Sequence, residues 1–270
     1  MTVAIYRIPA FETNYFFLLH DVQRQTAAIV DPGEFSPVQG LLNRLGARLT
    51  AIFNTHHHSD HIGANTALLQ QYPEAIVYGG IHDRGRIPGQ QMFLQEGDEV
   101  WFGDYRATVL FIPGHTRAHI AYYFPAQNSP KAECPGEYTL GSQGDLFCGD
   151  TLFGAGCGRL FEGTPAEMLD SLDKLRSLPE DTRIWCAHEY TLGNLEFALT
   201  IEPQNTTLHD RYIQVKDQRD RQEATIPSLL AIEKQTNPFL RWDERSVQES
   251  MGSEEPVKTF RRLRGKKDLF

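Results

Sequence analysis

Cysteine is scarce in this chain, and its spacing forms no pairs. Cys134, Cys148, Cys157 and Cys186 make no C-x-x-C motif, which argues against a thiolate zinc site and a dithiol redox centre. They read as small buried hydrophobes or free thiols, as expected of a reducing compartment. Positive charge is also in deficit. Lys and Arg number 26 against 35 Asp and Glu, and the resulting net charge of −9 argues against a general nucleic-acid binder. No apolar run approaches the roughly 18 to 20 residues that span a bilayer. The stretch Phe16–Leu19 has neither the basic leader and cleavage site of a signal peptide nor the Arg and Ser bias of a transit segment, so a cytoplasmic location is expected. What remains is ordinary soluble composition, 40% hydrophobic and 23% charged over 270 residues. That length supports one large domain or two modest ones.

The first two thirds alternate short β-branched and aromatic runs with loops. Residues 3–8, 14–19 and 26–30 read as opening strands, the third closed by the Asp31-Pro-Gly33 turn. A helical pattern over 36–46 ends at Gly46, and further strands are expected at 49–54, 76–78, 107–112, 120–124, 146–149 and 183–187. Thr164-Pro165 with Glu167 predicts a capped helix over about 164–177. Past about residue 190 strand signals cease, and 194–201, 206–222, 227–235 and 256–266 look helical between Pro and Gly breakers. An α/β domain over 1–188 followed by a small helical domain over 189–270 is expected, with a polar loop at 126–145.

The densest chemistry lies in His56-His57-His58-Ser59-Asp60-His61, an H-x-H-x-D-H run directly after the apolar 49–54 segment. Imidazole and carboxylate donors on a loop at a strand end suit zinc, iron or manganese. Three other apolar runs end the same way, in Gly114-His115, Gly149-Asp150 and Ala187-His188. Together they offer His56, His58, Asp60, His61, His115, Asp150 and His188, more donors than one ion takes, which suits two divalent ions sharing a carboxylate. His57 is expected to point away from this set. His20, His82, His119 and His209 belong to no cluster, Asp31 reads as a turn residue, and Trp101, Trp185 and Trp242 read as core or interface residues.

The H-x-H-x-D-H run with Gly114-His115-Thr116, Gly149-Asp150-Thr151 and His188-Glu189-Tyr190 resembles the metallo-β-lactamase superfamily. Cys157-Gly-Arg-Leu-Phe-Glu-Gly-Thr164, Asn237-Pro-Phe-Leu-Arg241 and Arg264-Gly-Lys-Lys-Asp-Leu-Phe270 narrow the likeness to glyoxalase II, the hydroxyacylglutathione hydrolases. This resemblance implies an αββα sandwich with a helical C-terminal domain, and hydrolysis of S-D-lactoylglutathione to D-lactate and glutathione in methylglyoxal detoxification. It further implies one metal on His56, His58 and His115, a second on Asp60, His61 and His188, and Asp150 bridging both. Zinc is the expected cation, with iron or manganese as substitutes.

Glutathione thioesters are anionic, and Arg261, Arg262, Arg264, Lys266 and Lys267 crowd the last ten positions. By the resemblance Arg264 and Lys267 hold the glycine carboxylate, while Arg159 and Tyr190 supply the other contacts. Phe161 stands where many relatives have Tyr. The partner expected is this small-molecule thioester, with no nucleic acid, membrane or obligate protein partner. The main alternative is a glutathione persulfide dioxygenase of the same superfamily using one iron. Lactone or β-lactam hydrolysis and nucleic-acid processing fit the charge and the basic residues less well.

Overall fold

The computed structural model describes residues 2–127 and 138–270. Three strands open it, β1 (Val3–Ala10), β2 (Asn14–Asp21) and β3 (Thr26–Val30), followed by helix α1 (Phe35–Leu45) and strand β4 (Arg48–Phe53). Gly46 ends α1 in the left-handed conformation, φ 62°, and returns its N–H to the last carbonyls of the helix. The single turn α2 (Ser59–Ile62) and helix α3 (Asn65–Gln71) lead to β5 (Ile76–Gly80), β6 (Gln90–Leu94), β7 (Glu99–Phe102), β8 (Tyr105–Phe111), β9 (Ile120–Phe124), β10 (Tyr138–Thr139) and β11 (Asp145–Gly149).

These elements make up the first of two compact units, Met1–Phe111 with Ala118–Gly149. Its larger sheet runs β10-β1-β2-β3-β4-β5-β6, antiparallel from β10 to β3 and parallel from β3 to β6. The β3–β4 and β4–β5 parallel pairs require crossover connections, which α1 and α3 provide. A second, antiparallel layer is formed by β11-β9-β8-β7. Phe17 meets Phe147 and Phe53 meets Tyr122 across the two layers, ring centroids 5.7 and 5.1 Å apart. Val38, Leu41, Leu42 and Leu68 pack on the opposite face of the larger sheet, against Phe16, Leu18, Ile29, Leu49 and Ile52. Covered on both faces, β2 buries every one of its residues.

The second unit comprises Ile112–Arg117 and Asp150–Phe270. It holds the two-residue strands β12 (Leu152–Phe153) and β13 (Gly156–Cys157), helix α4 (Pro165–Arg176), β14 (Arg183–Cys186), helices α5 (Thr191–Ile201) and α6 (Thr206–Asp220), and β15 (Ser228–Leu229). Helices α7 (Leu230–Thr236), α8 (Arg245–Met251) and α9 (Pro256–Leu269) complete it. The expected Thr164–Glu167 capping box is formed at the start of α4. Within this unit α4 packs on α9.

Half of the expected 126–145 loop, residues 128–137, lies outside the described residues. Trp185 and Trp242 are buried as expected, but Trp101 is 58% exposed. Its strand is short and lies at the edge of the smaller layer, where Trp101 pairs across to Arg106 rather than entering the core. Among the described residues no helix is long and apolar enough to cross a membrane.

Candidate metal centre and binding cavity

The H-x-H-x-D-H run leaves β4 and enters α2, so the first unit presents His56 and His58 from a loop and Asp60 and His61 from one helical turn. His56 and His61 are buried. His56 Nε2 faces His58 Nδ1 at 3.0 Å, and His61 Nε2 lies 3.5 Å from Asp60 Oδ2. Asp31 underlies the turn. Its carboxylate accepts the Thr55 N–H and hydroxyl at 2.7 Å each and approaches His61 Nδ1 at 3.1 Å. Fixing Nδ1 in this way leaves Nε2 to act as a donor to a cation. Asn14 Nδ2 donates to Asp60 Oδ2 at 2.9 Å, and Asn54 Nδ2 donates to the His61 carbonyl.

His57 turns away as expected, with its Nδ1 3.0 Å from Asp83 and its Nε2 against Arg86. His119 departs from the expectation of a role apart from the cluster. Its ring stacks on His56 with centroids 4.5 Å apart and planes 20° off parallel. Its Nδ1 is 3.0 Å from the Ile120 carbonyl. Gly149, φ 48°, packs against Thr55 and His119, where a Cβ would lie 2.3 Å from Thr55 Oγ1 and 2.9 Å from the His119 ring. The signal for Asp31 was present as an acid at a strand end in front of Pro-Gly. That pattern describes ordinary turns equally well, and φ 50° at Asp31 became visible only in the fold.

The second unit holds His115, Asp150 and His188. His115 Nε2 and His188 Nε2 lie 3.5 and 3.3 Å from the same carboxylate oxygen, Asp150 Oδ2. The Arg159 carbonyl lies 2.9 Å from His115 Nδ1, fixing that ring from behind. Two ligands bound at 2.0–2.1 Å to one tetrahedral ion stand about 3.3 Å apart. The His56–His58, Asp60–His61, His115–Asp150 and His188–Asp150 separations all lie near that edge length. Each of the seven residues is a candidate metal donor. The N and O donors fit divalent cations, and one oxygen facing two imidazoles fits a shared ligand.

His115 and Asp150 open into a cavity of about 630 Å³ that also exposes Arg159, Tyr190, Arg264 and Lys267. All four residues expected to grip substrate therefore share one cavity with part of the metal cluster. The Tyr190 ring stacks on His188 with centroids 4.8 Å apart and planes 2° off parallel, while Phe161 meets His115 edge-on at 5.2 Å. Arg264 is buried, donating Nη1 to the Cys157 carbonyl at 2.8 Å and pairing with Asp268 at 3.0 Å. Lys267 donates to the Gly193 carbonyl at 3.2 Å. Burial, then the neighbouring Arg264 charge, lowers its pKa to about 8.

Of the C-terminal cations only Arg264 and Lys267 line this cavity, and Arg262 instead caps α8 through the Met251 and Gly252 carbonyls. Cys157 also lines the cavity, but burial pushes its thiol up to about 11 despite Arg264. It stays protonated and is a poor nucleophile.

A sequence profile described as the hydroxyacylglutathione hydrolase C-terminus matches residues 189–270, and that of the metallo-β-lactamase superfamily matches residues 9–129. The hydroxyacylglutathione hydrolase of Gloeothece citriformis is 60% identical over 266 residues, covering 98% of this chain and 99% of that protein. The chain belongs to the hydroxyacylglutathione hydrolase family. Its fold is that of the metallo-β-lactamase superfamily, with α/β sheets and a C-terminal helical region. ETHE1 from Myxococcus xanthus shares this fold, with a TM-score of 0.66 at 23% identity over 98% of this chain and 92% of that one. A further solved structure, of TTHA1623 in a di-iron-bound form, has a TM-score of 0.50 at 26% identity, covering 67% of this chain and 90% of its own. Family membership and the His and Asp donor groups make this chain a candidate for divalent metals of the kind the superfamily name implies.

Proposed function

We propose that the protein hydrolyses S-2-hydroxyacylglutathiones, S-D-lactoylglutathione foremost, to the 2-hydroxy acid and glutathione. The observation that carries this reading is the cavity of the second unit, where Arg159, Arg264 and Lys267 converge beside His115 and Asp150. On this reading His56, His58 and His115 would hold one divalent cation and Asp60, His61 and His188 a second, with Asp150 offered to both. Zinc is the proposed species, and the N/O donor set accommodates iron or manganese equally. Bound there, the cations supply the Lewis acidity that makes water nucleophilic at neutral pH.

The chain's own residues supply the rest. Arg159, Arg264 and Lys267 pair with the carboxylates of the tripeptide, so the thioester is anchored by its leaving group. Asp31 holds His61 and the Arg159 carbonyl holds His115, and both rings keep Nε2 as the inward donor. The departing thiolate, whose conjugate acid has a pKa of about 8.5, needs no dedicated general acid. Because Cys157 stays protonated, no covalent acyl-enzyme is invoked. Residues 189–270, the span matched by the family's C-terminal profile, serve as the substrate-binding part of the chain. That match favours the hydrolase over a persulfide dioxygenase. The reading places the enzyme in the cytoplasm and requires no protein, membrane or nucleic-acid partner.

Loss of thioester absorbance on S-D-lactoylglutathione, with metal analysis of the same sample, tests the reading. Turnover at nearly two metals per chain supports it. A fully metallated protein inert towards the thioester but consuming oxygen with glutathione persulfide would replace the hydrolase with the dioxygenase.

A further inference from the structure

Asn237 opens the Asn-Pro-Phe-Leu-Arg run that marks the family, yet it lines no part of the cavity and has no role in the reaction as described so far. Together with Glu233 it is fully buried, 0% exposed in both cases. Both side chains reach the back of the turn between β12 and β13. Asn237 Nδ2 donates to the Phe153 carbonyl at 3.3 Å and the Gly156 carbonyl at 3.0 Å. Glu233 accepts the Ala155 N–H at 2.8 Å, where the chain is left-handed with φ 54°. Asn194 Nδ2 donates to the Gly154 carbonyl at 2.9 Å. Arg211 and Ser228 donate to Glu233, and Asn237 Oδ1 accepts from Phe239 N at 3.0 Å, so the clamp is itself anchored.

The other side of the same short segment carries the functional contacts. Asp150 begins it, the Cys157 carbonyl holds Arg264, and the Arg159 carbonyl holds the His115 ring. Gly158 donates to the Thr151 carbonyl at 3.1 Å, and a Cβ at Gly158 would lie 1.9 Å from the Asp150 carbonyl oxygen. Segment 150–159 therefore links a metal donor, the partner of a second donor and the anchor of a substrate cation through main-chain atoms. Main-chain carbonyls aim only as well as their backbone is held.

We propose that Glu233 and Asn237 are positioning residues for the thioester hydrolysis inferred above. By clamping the 153–156 turn they set Asp150, His115 and Arg264 in register. Removing the clamp lets the turn relax, which loosens metal and substrate together although neither residue touches either.

The test compares Asn237→Ala and Asn237→Asp with Val247→Ala, a destabilising substitution at a buried position of α8, a helix that packs on α5 and α9. Asn237→Asp keeps the volume but turns a donor towards two carbonyls into an acceptor, and Asn237→Ala is the fallback if it fails to fold. Zinc retention is read by competition with a chelator, and KM and kcat are read on S-D-lactoylglutathione. Supports of metal ligands of this kind are worth about 10- to 100-fold. Asn237→Ala should therefore release zinc at roughly tenfold lower chelator concentration, with KM raised and kcat lowered beyond Val247→Ala at matched Tm. A folded Asn237→Ala protein with wild-type zinc retention and kinetics, or changes no larger than those of Val247→Ala, overturns the proposal. Should the wild-type protein fail on the thioester, the functional reading falls, while the chelator comparison still decides the clamp.

Discussion

Lys267 offers a direct experiment on the cavity, because its ammonium ionises within the working pH range. Its pKa stands at about 8, lowered first by burial and then by Arg264. An ordinary lysine, at about 10.4, would stay charged throughout. With a pKa near 8 about nine tenths of Lys267 is cationic at pH 7 and about one tenth at pH 9. If the substrate carboxylate binds the cationic form, kcat/KM should fall about tenfold over that interval. The fall has a ceiling, since a hydrogen bond to a charged group contributes about 1.5 to 3 kcal/mol, roughly ten- to hundredfold in binding. Lys267 meets the tripeptide rather than the acyl carbon in this reading, so kcat at saturation should stay nearly flat. Lys267→Arg keeps its charge and should remove the fall, and Lys267→Met should give a raised KM with no such slope. Initial rates corrected for spontaneous hydrolysis, taken from pH 6.5 to 9.5, measure all three. A wild-type profile flat from pH 7 to 9, or the same fall in Lys267→Arg, would refute the reasoning.

Asp31→Ala strips the acceptor from Thr55 and His61 in a buried turn, and should cost about 3 kcal/mol in urea unfolding while lowering metal content, whereas unchanged values on both counts would make Asp31 a plain turn residue. Asp150→Ala should lose at least one metal per chain, and retention of two by elemental analysis would exclude Asp150 as the shared ligand. His20 is 3% exposed, and burial lowers its pKa below the usual 6.5. The folded state thus resists a proton that the unfolded chain accepts. The associated stability is complete above pH 6.5 and is lost as pH falls through that value towards the folded pKa. Urea midpoints should accordingly drop more between pH 7.5 and 5.5 in the wild type than in His20→Leu, and equal drops would show that other groups set the acid limit.

Much of this architecture was legible from periodicity and punctuation. The opening strands, α1 with its terminal Gly46 and the Thr164-Pro165 start of α4 lie within a residue or two of expectation. Several strands that escaped notice are created by pairing rather than by composition. Gln90–Leu94 is polar at its start and adds to the parallel edge through β5, and Leu152–Phe153 with Gly156–Cys157 is too short to show a period. Helix α8, Arg-Ser-Val-Gln-Glu-Ser-Met, offers only Val247 and Met251 as buried anchors, one turn apart. At the site, the candidate donors were readable because imidazoles and carboxylates cluster in the sequence. Their supports were not. Asp31, Asn14 and His119 act on the run at 56–61 from distant positions, and nothing in their own neighbourhoods distinguishes them from turn or surface residues.

Carbonyl oxygens, at Cys157 and Arg159, help to aim Arg264, alongside the Asp268 carboxylate, and the His115 ring. Every amino acid carries that oxygen. A change of side chain at position 157 or 159 therefore preserves the aim of a neighbouring group as long as the backbone path is kept. On the proposed reading, residue 159 could be altered to adjust how the tripeptide is held while its carbonyl still meets His115. This separates drift in substrate preference from drift in metal binding, so that one can change over generations of substitution while the other is retained.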